Sequence, residues 1–152
     1  MAEMSKTEIR RFLMRGTFTG KLATVRTDGS SHVVPIWFVV DDGNSTSRVG
    51  DIVFTTGSTS VKARNIHRDK RVSICVDDQK PPFSFVAISG LAQICPYRRK
   101  EAIKWATKIA GRYMGKRNAK AYGERNSGEG EVLVRIKPKS IVAEKDIAFW
   151  DS

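Results

Sequence analysis

Hydrophobic positions along this chain fall mostly in short runs of strand character, cut by Gly, Pro, Asn and Asp, and only three stretches show helical spacing. The first is a capping box, Ser5-Lys6-Thr7-Glu8, followed by Ile9, Phe12 and Leu13 on one face and by Gly16 as a stop. Strand patterns then cover residues 21–26, 31–40 and 51–56, separated by Thr27-Asp28-Gly29-Ser30 and by a polar turn over 41–47. Three successive strands with short connections predict an antiparallel meander. A short helix over 60–67 follows, then strands over 71–77 and 83–95 flanking Gln79-Lys80-Pro81-Pro82, and a sixth strand over 131–136. Between the last two strands Pro96 opens a long helix. Its Ile103, Ala106, Ile109, Ala110 and Tyr113 form an apolar stripe, while Lys100, Lys104, Lys108 and Arg112 repeat every four residues. The pattern predicts a mainly β, α+β chain on a closed or nearly closed barrel, a single domain over residues 1–152.

The stretch richest in chemistry is Phe54-Thr55-Thr56-Gly57-Ser58-Thr59-Ser60-Val61-Lys62-Ala63-Arg64-Asn65, in which an apolar strand runs into a hydroxyl-rich turn and then a cationic helix. The first amides of a helix lack intrahelical acceptors, and its N-terminus is electropositive. An anion there meets free backbone donors and the Lys62 ammonium, so the turn suits a phosphate. An ordinary N-cap with solvated Lys and Arg is the competing reading. The glycines of a Walker loop or a dinucleotide fingerprint are missing.

Composition narrows the choice. The chain has 152 residues, 40% hydrophobic and 28% charged, as in a soluble globular domain, and no apolar run approaches the ~20 residues that span a bilayer. Its start leads into a charged helix without an apolar signal region, so a cytoplasmic location is expected, with no membrane partner. Of a formal net charge of +11, most lies between Tyr97 and Arg125, where ten Lys or Arg face two Glu. A solvated face, a nucleic-acid patch and a landing surface for an anionic small molecule or tail all fit. Trp105 and Tyr113 beside apolar residues fit core packing better than base stacking, and no nucleic acid is expected as a partner. Cys75 and Cys95 read as buried reduced thiols, and with His32 and His67 far apart no metal site is expected. Asp41-Asp42 and Asp77-Asp78 read as turn residues rather than acid/base dyads. No nucleophile elbow or metalloprotease helix is present, so any difficult chemistry belongs to a bound cofactor.

Six segments in order resemble the flavin and deazaflavin oxidoreductase superfamily, the split β-barrel group that includes pyridoxamine 5′-phosphate oxidase. They are Leu22-Ala23-Thr24-Val25-Arg26-Thr27-Asp28-Gly29, His32-Val33-Val34-Pro35-Ile36-Trp37-Phe38, Lys62-Ala63-Arg64-Asn65-Ile66, Arg71-Val72-Ser73-Ile74-Cys75-Val76-Asp77, Phe83-Ser84-Phe85-Val86-Ala87-Ile88-Ser89-Gly90 and Leu133-Val134-Arg135-Ile136-Lys137-Pro138. The resemblance covers nearly the whole chain and implies a six-stranded split barrel, a homodimer and cofactor sites at the subunit interface.

Departures point to a branch. Pyridoxamine-phosphate oxidases present Ser-Arg-Lys where this chain has Ser60-Val61-Lys62, so a guanidinium that clamps the phosphate of flavin mononucleotide (FMN) is missing. They also place Gln where Phe85 stands and end in an Arg-rich motif, whereas this chain ends Ala148-Phe149-Trp150-Asp151-Ser152. Lys62-Ala63-Arg64-Asn65 is similar to the branch using coenzyme F420, a deazaflavin with a phospholactate and a polyglutamate tail. That likeness implies a phosphate held by Lys62 and Asn65, with Ser60 and the backbone of Thr55, Thr56 and Gly57 beside it. Val34, Pro35, Ile36 and Trp37 would wall the ring, and Phe83 would complete the site. The activity implied is hydride transfer between F420 and an unsaturated organic acceptor. The alternatives are an FMN-dependent relative or a non-catalytic flavin or F420 carrier. No side chain stands out as proton donor; Tyr113, Tyr122 and His32 are the candidates.

Overall fold

A computed structural model describes residues 2–43 and 49–148. Within them lie eight strands and four helices, in the order β1 (Ala2–Glu3), α1 (Lys6–Leu13), β2 (Gly20–Val25), β3 (Ser31–Ile36), β4 (Val39–Asp41), β5 (Asp51–Gly57), α2 (Val61–Arg68), β6 (Arg71–Asp78), β7 (Ser84–Ile94), α3 (Arg99–Met114), α4 (Lys116–Arg125) and β8 (Glu131–Lys145). All pairings are antiparallel, along the path β3-β2-β6-β7-β8-β5-β4 with β1 beside β8. The class is mainly β, α+β, as expected, but the strands number eight rather than six and the path is not a closed barrel.

The largest departure from the pattern lies at residues 31–40. One expected strand is two, β3 and β4, broken at Trp37-Phe38 and placed at opposite ends of the sheet path, so the expected three-strand meander does not form. In a flat sheet those ends would lie roughly 29 Å apart, whereas the two residues between them reach about 11 Å at most. The sheet therefore has to curl, and the break is where it is split. Apolar residues run unbroken from Val33 to Val40 and so do not mark the break. The other surplus strand is β1, too short for any periodic signal. β8 continues nine residues beyond the expected end at Ile136, through Pro138, which stands opposite Gly90 where the β7–β8 register shifts. A Cβ on Gly90 would lie 2.3 Å from the Lys137 carbonyl oxygen, so the bulge requires glycine there. The long helix starts at Arg99 rather than Pro96 and divides at Gly115, whose φ is +83°. The expected turn over 41–47 lies partly, and Phe149 to Ser152 wholly, outside the described residues.

Alternation decides the core. Leu22, Ile74 and Ile88 form one register row on the inner face and join Ile9, Phe12 and Leu13 of α1. The Ser5 hydroxyl accepts from the Glu8 amide and Glu8 accepts from the Ser5 amide, the expected capping box. A second, smaller cluster joins Trp105 and Ile109 of α3 to Val39 and Val53, so α3 covers the outer face of β4 and β5. Asp41 and Asp78 accept from the Gly43 and Lys80 amides as turn residues, and also bind Arg135 and Arg15. Both cysteines are free and half-buried.

The backbone at the Trp37-Phe38 break is satisfied by two neighbours on α3. Tyr113 Oη accepts from the Phe38 amide at 3.2 Å and donates to the Phe18 carbonyl at 2.8 Å. Arg112 donates to the carbonyls of Phe38 (2.7 Å), Leu13 (2.7 Å) and Gly16 (3.0 Å). Arg112 is therefore no member of an outward cationic row. Replacing it with Met keeps the stem but leaves three carbonyls without a donor, and should cost roughly 2 kcal/mol of unfolding free energy in urea, the scale of a charged hydrogen bond. Arg11→Met, on an exposed position of α1, should leave the urea midpoint nearly unchanged.

Candidate functional site

The outer face of β5 packs against Trp105 and Ile109 of α3 at Val53. Beyond it, Thr55 and Gly57 remain on the same face, because residues two apart along a strand point the same way. Their register partners on β8 are Leu133 and Glu131. A Cβ built on Gly57 would meet nothing within 4 Å, so the backbone there is open to a ligand. A cleft of about 370 Å³ results, at the small end of ligand sites. It brings together Pro35, Ile36, Trp37, Thr55, Thr56, Gly57 and Lys62, all expected from the sequence, with Ile109, Asn126 and Glu131. Trp37 lies parallel to Tyr113 (ring centroids 5.2 Å apart, 4° between planes) and keeps 37% of its surface exposed.

Four expected residues are placed otherwise. Val34 pairs with Leu22 and so faces away from Pro35. Ser60 is the N-cap of α2: its Oγ accepts from the Ala63 amide at 3.1 Å and from Thr56 Oγ1 at 3.0 Å, holding the turn rather than lining the cleft. Asn65 is buried, its Nδ2 donating to Thr24 Oγ1 at 3.0 Å and its Oδ1 accepting from Arg68, and its amide docks α2 on β2. Phe83 sits before β7, whose eleven residues put it roughly 36 Å from the Ile94 end near the cleft. The Tyr113 hydroxyl is committed to the Phe18 carbonyl, and neither Tyr122 nor His32 lines the cleft.

Two charges face each other across the cleft. Lys62 has no ion-pair partner within 4.0 Å among the described residues; burial lowers its pKa from the ordinary lysine value, opposed by Glu131. Burial raises the Glu131 carboxyl above its ordinary value, opposed by Lys62 and Arg125. The lysine is thus partly desolvated beside the first amides of α2, as an anion site requires.

The family model described as pyridoxamine 5′-phosphate oxidase matches residues 5–143. This chain belongs to that family. Members of the pyridoxamine 5′-phosphate oxidase family are flavin-binding split-barrel proteins that include oxidoreductases. Among solved structures, a conserved hypothetical protein from Mycobacterium tuberculosis is 26% identical, with a TM-score of 0.80 over 98% of this chain and 91% of that one. An F420 reductase is also 26% identical, with a TM-score of 0.63 over 86% of this chain and 94% of that one. An FAD-binding protein from Mesorhizobium loti, 18% identical with a TM-score of 0.65 over 93% of each chain, shows the fold alone. A search of curated proteins finds no match. No helix among the described residues is long and apolar enough to cross a membrane.

In this member of the pyridoxamine 5′-phosphate oxidase family, three cleft residues escaped sequence reasoning. Ile109 lies in the apolar stripe of α3, but periodicity does not tell which stripe residue ends at a cleft. Asn126 and Glu131 follow a helix end and open a strand, and only the β5–β8 pairing brings Glu131 opposite Gly57. Because folding raises the Glu131 pKa, its ionised form costs stability above that pKa, and the cost fades as the pH falls toward 4.5. Glu131→Gln should thus be no less stable than the parent at pH 7, and any advantage should shrink by pH 4, read from urea midpoints at both.

Proposed function

We propose that this chain is an F420-dependent oxidoreductase, holding the deazaflavin in the Trp37–Lys62 cleft for hydride transfer to an unsaturated organic acceptor. The observation that carries the reading is Lys62, unpaired and partly desolvated beside the open backbone of Gly57. These residues fit a phosphate: α2 presents first-turn amides, Ser60 fixes the turn, and the glycine gives close approach. Pro35, Ile36 and Trp37 fit a flat ring, which stacks on an aromatic face already held parallel to Tyr113. A bound deazaflavin supplies the hydride, while the chain supplies position and exclusion of water. Val61 supports F420 over FMN. It lines a different cleft, with Arg26, Arg64 and Arg68, and offers no second cation to the phosphate.

The basic helix contributes less to this reading than its sequence suggests. Arg112 faces inward, while the Lys104 and Lys108 ammonium groups lie 5.1 and 4.7 Å from the Trp105 ring centroid. Lys100, Lys104 and Lys108 are left as the surface for a polyglutamate tail.

A homodimer is part of the proposal. Ile36 and Phe38 belong to the core and are not available to a partner. The outer face instead carries two register rows, Pro35-Lys21-Cys75-Ala87-Val142 and Val33-Ala23-Ser73-Ser89-Ser140. Val33 and Val142 are 58% and 56% exposed, and Lys21 is the sole charge in both rows. Pro35 joins the first row to the cleft, so a partner on this face would lie at the cleft mouth, where its own Phe83 could reach a site that Phe83 of the same chain does not. Light scattering at micromolar concentration should give twice the monomer mass; a monomer would sink the shared-site arrangement.

Protein from a host lacking F420 should be colourless and take up F420 in a fluorescence titration, whereas a yellow preparation carrying FMN would favour the FMN-dependent alternative. Lys62→Ala should weaken F420 binding roughly ten- to a hundredfold, the scale of one charge-assisted hydrogen bond to phosphate. Lys70→Ala, on an exposed position, should leave it unchanged. Equal binding by Lys62→Ala and the parent would remove the physical basis of the reading.

A further inference from the structure

Resting on the cofactor reading above, we propose that Glu131 makes the phosphate subsite a charge filter, accepting a phosphodiester with one negative charge and rejecting a terminal phosphate with two. Glu131 stands directly opposite Gly57 in the β5–β8 ladder, where facing Cα atoms are about 4.5–5.5 Å apart. Its side chain therefore rises beside the open backbone that a phosphate would approach, in the cleft that also holds Lys62. Lys62 is the one cationic side chain lining that cleft among the described residues, and Glu131 the one anionic. An anion that hydrogen-bonds Lys62 and the α2 amides gains directional donors, while the carboxylate, an acceptor only, returns repulsion alone.

Coulomb energy is linear in the ligand's charge, so each further negative charge meets the same repulsion again. The phospholactate phosphate of F420 is a diester and carries one charge. The terminal phosphate of FMN, a monoester, carries close to two above a second pKa of about 6. Other charged groups do not cancel Glu131. Arg125 moderates it from α4, and it also borders a second cleft with Arg98, Glu101 and Arg135. There Arg135 is bound to Asp41 and Asp51, and Glu101 accepts from the Trp105 indole. The partly desolvated state of both Lys62 and Glu131 keeps their fields from being screened as surface charges are. A second cation would relieve the repulsion, and Val61 supplies none.

Glu131→Gln, Glu131→Asp and the parent should be titrated with F420, FMN and riboflavin in 0.15 M salt at pH 8 and pH 5, with thermal melts to confirm folding. At pH 8 the parent should favour F420 over FMN. Because the effect scales with the charge on the phosphate beside Glu131, the tail carboxylates of F420 lying away from it, Glu131→Gln should raise FMN affinity by the square of the factor for F420, for example about tenfold against about threefold, and leave riboflavin unchanged. Glu131→Asp should keep the parent's discrimination. At pH 5 the parent's preference should narrow, since both Glu131 and the FMN phosphate move toward protonation while Lys62 stays charged. A parent that binds F420 with an FMN-to-F420 ratio unchanged in Glu131→Gln would overturn the charge filter and leave the cofactor reading intact. A parent that binds FMN tightly and F420 not at all would overturn both.

Discussion

The Arg112 guanidinium is the point on which the architecture depends. A strand that must leave one end of a sheet path and rejoin it at the other has to stop pairing for a residue or two, and each stop leaves a buried N–H and C=O that need partners. Here Tyr113 takes the Phe38 amide and Arg112 the Phe38 carbonyl. The same guanidinium binds the Leu13 carbonyl that ends α1 and the Gly16 carbonyl just beyond it, so one group fixes the split, the end of the first helix and the docking of α3. A planar fork with five donors suits three acceptors in a way a lysine would not. Trp37 is held to the cleft by the same device, because its stacking partner Tyr113 is the residue that satisfies its neighbour Phe38.

The cleft follows from layers of unequal length. β5 and β8 pair over Ile52 to Gly57, and α3 packs its Trp105 and Ile109 on Val53, with Leu133, the partner of Thr55, at the edge of that cluster. The uncovered end of the face keeps an open glycine and two opposite charges, which in a filled layer would be desolvated at prohibitive cost. The cleft is the part of this layer that packing leaves unfilled.

What the sequence made legible is local. The capping box, the α2 N-cap and the strand-to-helix turn between Gly57 and Val61 are encoded within a few residues, and they form where expected. So are six of the strand segments, within a residue or so at most ends, since alternation and turn chemistry act over the same range. The misses are long-range. Nothing in Trp37-Phe38 tells a continuous strand from one divided between two sheet ends, because the cause lies in Arg112 and Tyr113, some 75 residues on. Asn65 shares a helix with Lys62, yet which polar side chain faces a ligand and which docks the helix depends on Thr24 across the core. Pro138 reads as a strand end, and only its opposition to Gly90 shows a bulge.

This division has a consequence for how such a site is tuned. The positive side, Lys62 with the α2 amides, belongs to a contiguous motif whose spacing is constrained by Ser60 capping Ala63 and bonding Thr56. The negative side, Glu131, arrives from a strand start far along the chain and is tied to the motif only by the ladder and by the Ser58 amide donating to the Gly130 carbonyl at 2.7 Å. A change at Lys62 alters both the attraction and the first turn of a helix, whereas a change at Glu131 alters the field and little else, since no hydrogen bond or ion pair to its carboxylate is formed among the described residues. On the proposed reading, selectivity between anions would thus be adjustable at one position without disturbing the turn and helix that hold Lys62.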